Sequence, residues 1–322
     1  MIDFGNIFRT VLLENPAAIE KLPAAEAARM DQLLEGQRLE PLVFDRLVKA
    51  GPKDSKTSVS PERLTAWKTA NLMAFERSKA FREVLDEVTE LVGERAAPAQ
   101  LLPATQLAFF HYKSPELRPL VDLEIRLPGE AARELHEALK TRHFLLADDL
   151  VAADSHLPLL ERDGVTIRVH RNTQPTLTSK KPEQEDTGTS PLLLSAGALV
   201  HELCREVFAR RFSHSLLLLH DLDLVFTSLK PSPEAILGSL AGSSTALETF
   251  LTLGVLTKVL GTELDPELLR QLEKSIRLSA PRKKTLCDLC TTAALEYPAS
   301  QTTRDLIEKQ IVEITSPKAL FA

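Results

Sequence analysis

Leu117-Arg118-Pro119-Leu120-Val121-Asp122-Leu123-Glu124-Ile125 is the stretch on which the fold turns. From Pro119 to Leu127, Val121, Leu123, Ile125 and Leu127 alternate with Leu120, Asp122, Glu124 and Arg126. Side chains of a strand point to opposite faces in turn, so a period of two predicts a strand over 119–127 with one buried face. Asp122 and Glu124 are two apart and share the other face. Two carboxylates so placed can bind divalent metal ions, which in turn hold a nucleoside triphosphate and activate an attacking hydroxyl. The same pair also arises without chemistry, as solvated acids on a half-buried strand.

Around this strand the pattern is mixed. Gln100 to Leu102 reads as a short buried strand, Thr105 to Tyr112 as one or two helical turns, and Gly129 to Arg142 as an amphipathic helix. His156 to Leu160 and Val165 to His170 read as a hairpin around Arg162-Asp163-Gly164. Alternating strands and helices that end in a hairpin predict a small mixed sheet with helices on one face. On either side the period becomes helical. Ser60-Pro61-Glu62-Arg63 opens a long helix that runs to about Gly93, and helical segments recur from Leu192 to the end. The expected class is α+β, segmented as a helical region 1–95, an α/β core 96–172, a polar loop 173–191 and a helical domain 192–322. The loop is expected to be mobile, because its one large apolar residue, Leu177, cannot anchor it.

Composition narrows the class. Net charge is −6, which argues against a dominant nucleic-acid surface. Aromatics make up only 5% of a chain dominated by Leu and Ala, which favours helix. Three cysteines, Cys204, Cys287 and Cys290, fit a reducing compartment better than a disulfide scaffold. The first twenty residues lack the basic-then-apolar pattern of a signal peptide, and Ser215 to Phe226 is too short and too acidic to span a membrane. A cytoplasmic location is therefore expected. Cys287-x-x-Cys290 has no second ligand pair and sits on a helical pattern, so it reads as buried packing and no zinc is expected. His201-Glu202 begins a His-Glu-x-x-His motif, but Arg205 stands where the second His belongs. Arg205, Arg210, Arg211 and His214 form a basic helix end, suited to the helix dipole or to a phosphate.

The order of these segments resembles the uncharacterised bacterial nucleotidyltransferase family. Arg118 leads into an Asp-x-acid strand. Leu101-Leu102-Pro103-Ala104-Thr105-Gln106-Leu107-Ala108 and then Tyr112 stand where that family has Leu-Lys-Gly-x-x-x-Ala and a Tyr. Val165 to His170 looks like the strand that ends in Asp-x-His. Pro41 to Leu47 fits the family's early helices, and Ser195 to Phe226 its later helical region, which has an acid near Asp221. The resemblance implies a nucleotidyltransferase core in which Asp122 and Glu124 hold Mg²⁺. Arg118 supports the strand, His170 orients a third position, and Asp221 belongs near the cleft. The implied reaction moves a nucleoside monophosphate from a triphosphate to a hydroxyl on an unknown acceptor.

The departures from the family pattern point the other way. Its Lys-Gly is Pro103-Ala104, and phosphate-cradling loops need glycine to bring backbone N–H groups close. Its second Asp is Glu124, and its third carboxylate is Arg168. Thr166, Arg168 and His170 share a strand face. If that strand pairs with 119–127, the Arg168 guanidinium competes with Mg²⁺ for the acids. A degenerate family member that serves as a binding or scaffold module, with a protein partner, is the alternative to the transferase.

Overall fold

The computed structural model describes residues 4–50, 59–95, 98–147, 156–172, 192–240, 245–276, 278–297 and 300–315. The expected mobile loop at 173–191 lies outside them. The chain divides into two compact units, one of residues 71–194 and one of residues 1–70 with 195–322. This grouping differs from the linear segmentation. The first seventy residues gather with the C-terminal helices, and 71–95 gather with the sheet.

In the α/β unit, five strands form one sheet: β1 (Gln100–Leu101), β2 (Asp122–Pro128), β3 (Leu145–Leu146), β4 (Leu160–Arg162) and β5 (Val165–Asn172). Their order is β1-β2-β5-β4-β3. The central pair, β2 and β5, is parallel, and all other pairs are antiparallel. Leu123, Ile125 and Leu127 of β2 and Val165, Ile167 and Val169 of β5 point into the core. There they meet Phe81, Val84, Leu85 and Val88 of α4 (Pro61–Arg95) and Leu135 and Leu139 of α6 (Gly129–Thr141). The apolar stripe of the strands is thus covered by helices, and the alternate residues face away from that layer. α5 (Pro103–Phe110) follows β1.

Three details depart from the sequence pattern. The central strand starts at Asp122, not Pro119, and before it Leu120 is buried while Val121 is 55% exposed. Proline has no N–H for a ladder, so the pleat begins only beyond it. The hairpin's first strand is 160–162 instead of 156–160. Its two-residue turn is Asp163-Gly164, whose φ values of 53° and 76° are the left-handed pair that a tight hairpin requires. β3 has no counterpart in the sequence pattern, because two exposed leucines cannot show an alternation.

The second unit is helical. It holds α1 (Phe4–Arg9), α2 (Ala24–Gly36), α3 (Glu40–Ala50), α7 (Ala196–Ala209), α8 (Leu216–Leu224), α9 (Pro233–Ser239), α10 (Ala246–Leu260), α11 (Pro266–Ser275), α12 (Ala280–Ala294) and α13 (Gln301–Thr315). Several starts are capped as the sequence demands. Ser195, Ser232 and Asp265 accept the N–H of Ala198, Ala235 and Glu267. Among the described residues, no helix is long and apolar enough to cross a membrane.

α7 and α9 pack closely at Gly197, where a Cβ would lie 2.3 Å from the Ala235 carbonyl oxygen. Backbone cannot yield as a side chain can. Gly197→Ala is therefore expected to destabilise the protein by about 1–3 kcal/mol, read as a lower urea midpoint. An unchanged midpoint would show that the two helices are not held at this spacing.

Candidate functional site

The parallel register sets the site. Asp122 lies opposite Thr166, Glu124 opposite Arg168, and Arg126 opposite His170. Paired residues of adjacent strands point to the same face, so the two acids, the guanidinium and the imidazole share the side away from the helical layer. Arg168 Nη2 donates to Asp122 Oδ2 at 2.7 Å, and Arg168 Nε stands 3.9 Å from Glu124 Oε1. His170 Nε2 donates to Glu124 Oε1 at 3.1 Å. The side chains of Asp122 and Glu124 are only 13% and 19% exposed, whereas that of Arg168 is 32% exposed. Arg168 Nε is buried without a hydrogen-bond partner among the described residues.

The two carboxyls are pushed in opposite directions. Burial, then the neighbouring Glu124, raises Asp122 above the usual carboxylate range, against the pull of Arg168. Burial also raises Glu124, but His170, Arg168 and Arg118 together outweigh it and hold this carboxyl below its ordinary value. Two acids this close titrate as a pair, and the first proton goes to Asp122.

Arg118 is almost fully buried, and its charge contributes to holding Glu124 ionised. The backbone of Glu124 is tied to the start of α5: its N–H donates to Thr105 Oγ1 at 2.9 Å, and its carbonyl accepts the Leu102 N–H at 3.1 Å. Pro103 occupies the first turn of α5 and has no N–H to offer. Gln106 clamps the Leu194 backbone from both sides, accepting its N–H at 2.7 Å and donating to its carbonyl at 3.0 Å.

Two site contributors were not legible in the sequence. Thr105 lies inside the segment already singled out, but only the fold shows that its hydroxyl serves β2. His156 packs edge-on against His170, with centroids 5.9 Å apart, through an isolated bridge. The hairpin register alone, with Leu160 opposite Ile167, would put Leu157 opposite His170. A one-residue slip brings His156 there instead. Asp221 belongs to the helical unit, where it is completely buried on α8. Cys204, Cys287 and Cys290 are buried free thiols whose ionisation is pushed upward by burial.

As arranged, the donor set does not suit Mg²⁺. A metal ion needs carboxylate oxygens free of cations. Here one acid is held by a guanidinium and the other by an imidazole. Among the described residues, no group of three or more His, Cys, Asp or Glu side chains is placed to hold a metal ion.

A protein-family model described as an uncharacterised nucleotidyltransferase matches residues 23–251. No curated protein and no solved structure matches the chain.

Arg168→Met would leave two crowded carboxylates without their cation. The expected loss is about 1–3 kcal/mol, discounted from a fully buried pair because Arg168 is a third exposed. Adding Asp122→Asn to that variant should recover more than half of the loss. Urea unfolding at pH 7 measures both. A neutral single variant would mean that the ion pair holds nothing together.

Proposed function

This chain belongs to the uncharacterised nucleotidyltransferase family, and from that premise we propose that it is a binding module on a nucleotidyltransferase fold, its two-acid site closed by Arg168. One observation carries the proposal: the 2.7 Å contact between Arg168 Nη2 and Asp122 Oδ2. A guanidinium is charged at every physiological pH and is covalently part of the chain. It fills, permanently, the place that an exchangeable cation would need. Metal-dependent phosphoryl chemistry depends on that cation for charge stabilisation worth several kcal/mol. Pro103 weakens the phosphate cradle as well, because the first turn of α5 lacks one N–H. Family membership points to a nucleoside triphosphate as the ligand class, held as a ligand and not consumed.

The second reading is an active transferase, moving a nucleoside monophosphate from a triphosphate to an acceptor hydroxyl. It is favoured by the exposure of the Arg168 side chain, 32%, which leaves its stem room to turn outward. Asp122 and Glu124 would then be the catalytic acids, with Arg118 and His170 in support.

Melting temperature with triphosphate, with and without Mg²⁺ or Mn²⁺, separates the two. A closed site gives no metal-dependent rise in the unmutated protein, while Arg168→Asp gains one of several degrees with Mn²⁺. A rise with Mg²⁺ in the unmutated protein, abolished by Asp122→Ala and accompanied by pyrophosphate release, would replace the binding module with the enzyme.

A further inference from the structure

The connection between α7 and α8 gathers positive charge that the acids among the described residues do not fully balance. It runs Arg210-Arg211-Phe212-Ser213-His214-Ser215, wholly within the helical unit. Arg211, Phe212 and His214 adopt left-handed backbone, with φ of 52°, 64° and 53°. For residues other than glycine, each such conformation costs on the order of 1 kcal/mol or more. Phe212, Ser213 and Ser215 are buried beneath the turn.

Three basic side chains meet there. Arg304, from the first turn of α13, donates its Nε–H to Ser213 Oγ at 3.0 Å, and no carboxylate among the described residues pairs with it. Arg210 is paired with Glu206 and donates to the His214 carbonyl at 3.4 Å. The His214 ring packs edge-on against Tyr297, with centroids 5.2 Å apart. Burial, then Arg304 and Arg210, pushes the His214 imidazole below its ordinary value. Arg210 has a structural reason to be where it is, since it caps the C-terminus of α7 and complements that dipole. Arg304 and His214 have the opposite situation. One lies in the first turn of α13 and the other just before α8, at helix N-termini where a cation is disfavoured and an anion is stabilised.

An independent observation comes from Gln37, which is 4% exposed. Its Oε1 accepts the N–H of Leu216, the first residue of α8, at 2.7 Å. That bond fixes the amide orientation and leaves Nε2 a buried donor with no acceptor among the described residues. An unpaired buried donor costs about 1–3 kcal/mol. Ser215 gives α8 no side-chain cap.

We propose that the α7–α8 connection is an oxyanion site that takes a phosphate group, with Arg304, His214 and the Gln37 amide as its donors. An anion there would supply the missing acceptor, the missing counter-charge and the ligand that both helix N-termini favour. The site belongs to the helical unit alone, and the proposal does not depend on the Arg168 closure.

The test is local. Histidine side-chain NMR of the full chain at pH 7 is followed while sulfate, inorganic phosphate or AMP is added at constant ionic strength. The His214 resonances are expected to move toward the protonated position and saturate. Sulfate does not titrate here, so its affinity should rise as pH falls from 7.5 to 6, because binding lifts an imidazole that burial, Arg304 and Arg210 otherwise hold below its ordinary value. Arg304→Met should weaken the anion at least fivefold, and Arg304→Lys should recover part of the loss. A response to inorganic phosphate equal to that for AMP identifies free phosphate as the ligand, and a much stronger AMP response identifies a phosphate ester. His214 resonances that stay fixed with all three anions would overturn the site. An Arg304→Met protein that is folded by circular dichroism and titrates like the unmutated one would overturn it equally. If Arg304→Met does not fold, the unmutated titration alone decides.

Discussion

The ion pair between Arg168 and Asp122 is the constraint from which the character of the sheet face follows. Two carboxylates, one on each side of Leu123, are less than a fifth exposed on a sheet whose other side is packed with apolar side chains. Such a pair cannot be held ionised without a nearby cation, because burying an unpaired charge costs several kcal/mol. A metal ion is one solution and comes and goes with its ligand. This chain carries the other, a cation from the neighbouring parallel strand, set directly opposite Glu124 by register. His170, two residues further along the same strand, holds the second acid. Both positions are dictated by the pleat, since a shift of one residue would send Arg168 and His170 into the core.

The rest of the site is consistent with a filled hollow. The Glu124 amide is spent on Thr105 and its carbonyl on Leu102, which fixes α5 against β2. The first turn of α5 begins with Pro103 and so lacks a donor. Gln106, further along α5, satisfies both backbone groups of Leu194. Each of these bonds makes the surroundings of Glu124 stiffer.

Much of this was legible in the sequence where a period could carry it. The run 123–127 shows the strand and its buried face, and 165–170 shows the neighbour, so the meeting of Asp122, Glu124, Arg168 and His170 follows once the two are paired. The residues just before β2 misled, since Leu120 and Val121 obey the alternation on paper but belong to a segment broken by Pro119. His156 was invisible because it depends on a slip of one residue within the hairpin, which no composition records. The gathering of the first seventy residues with the C-terminal helices was hidden for a different reason. It is made by contacts between residues far apart in the chain, such as Arg29 with the Leu295 carbonyl and Gln37 with Leu216. The oxyanion site at the α7–α8 connection shares that origin: Arg210, Arg211 and His214 stood out in the sequence, but Arg304 and Gln37, brought in from distant helices, did not.

The most direct measurement is a crystal structure of the unmutated protein grown with Mn²⁺ and a non-hydrolysable nucleoside triphosphate, with the metal located by its anomalous signal. A closed site predicts no manganese peak between the Asp122 and Glu124 carboxylates, and the Arg168 guanidinium still hydrogen-bonded to Asp122. Manganese bound by both acids, with Arg168 swung out onto the triphosphate, would contradict it.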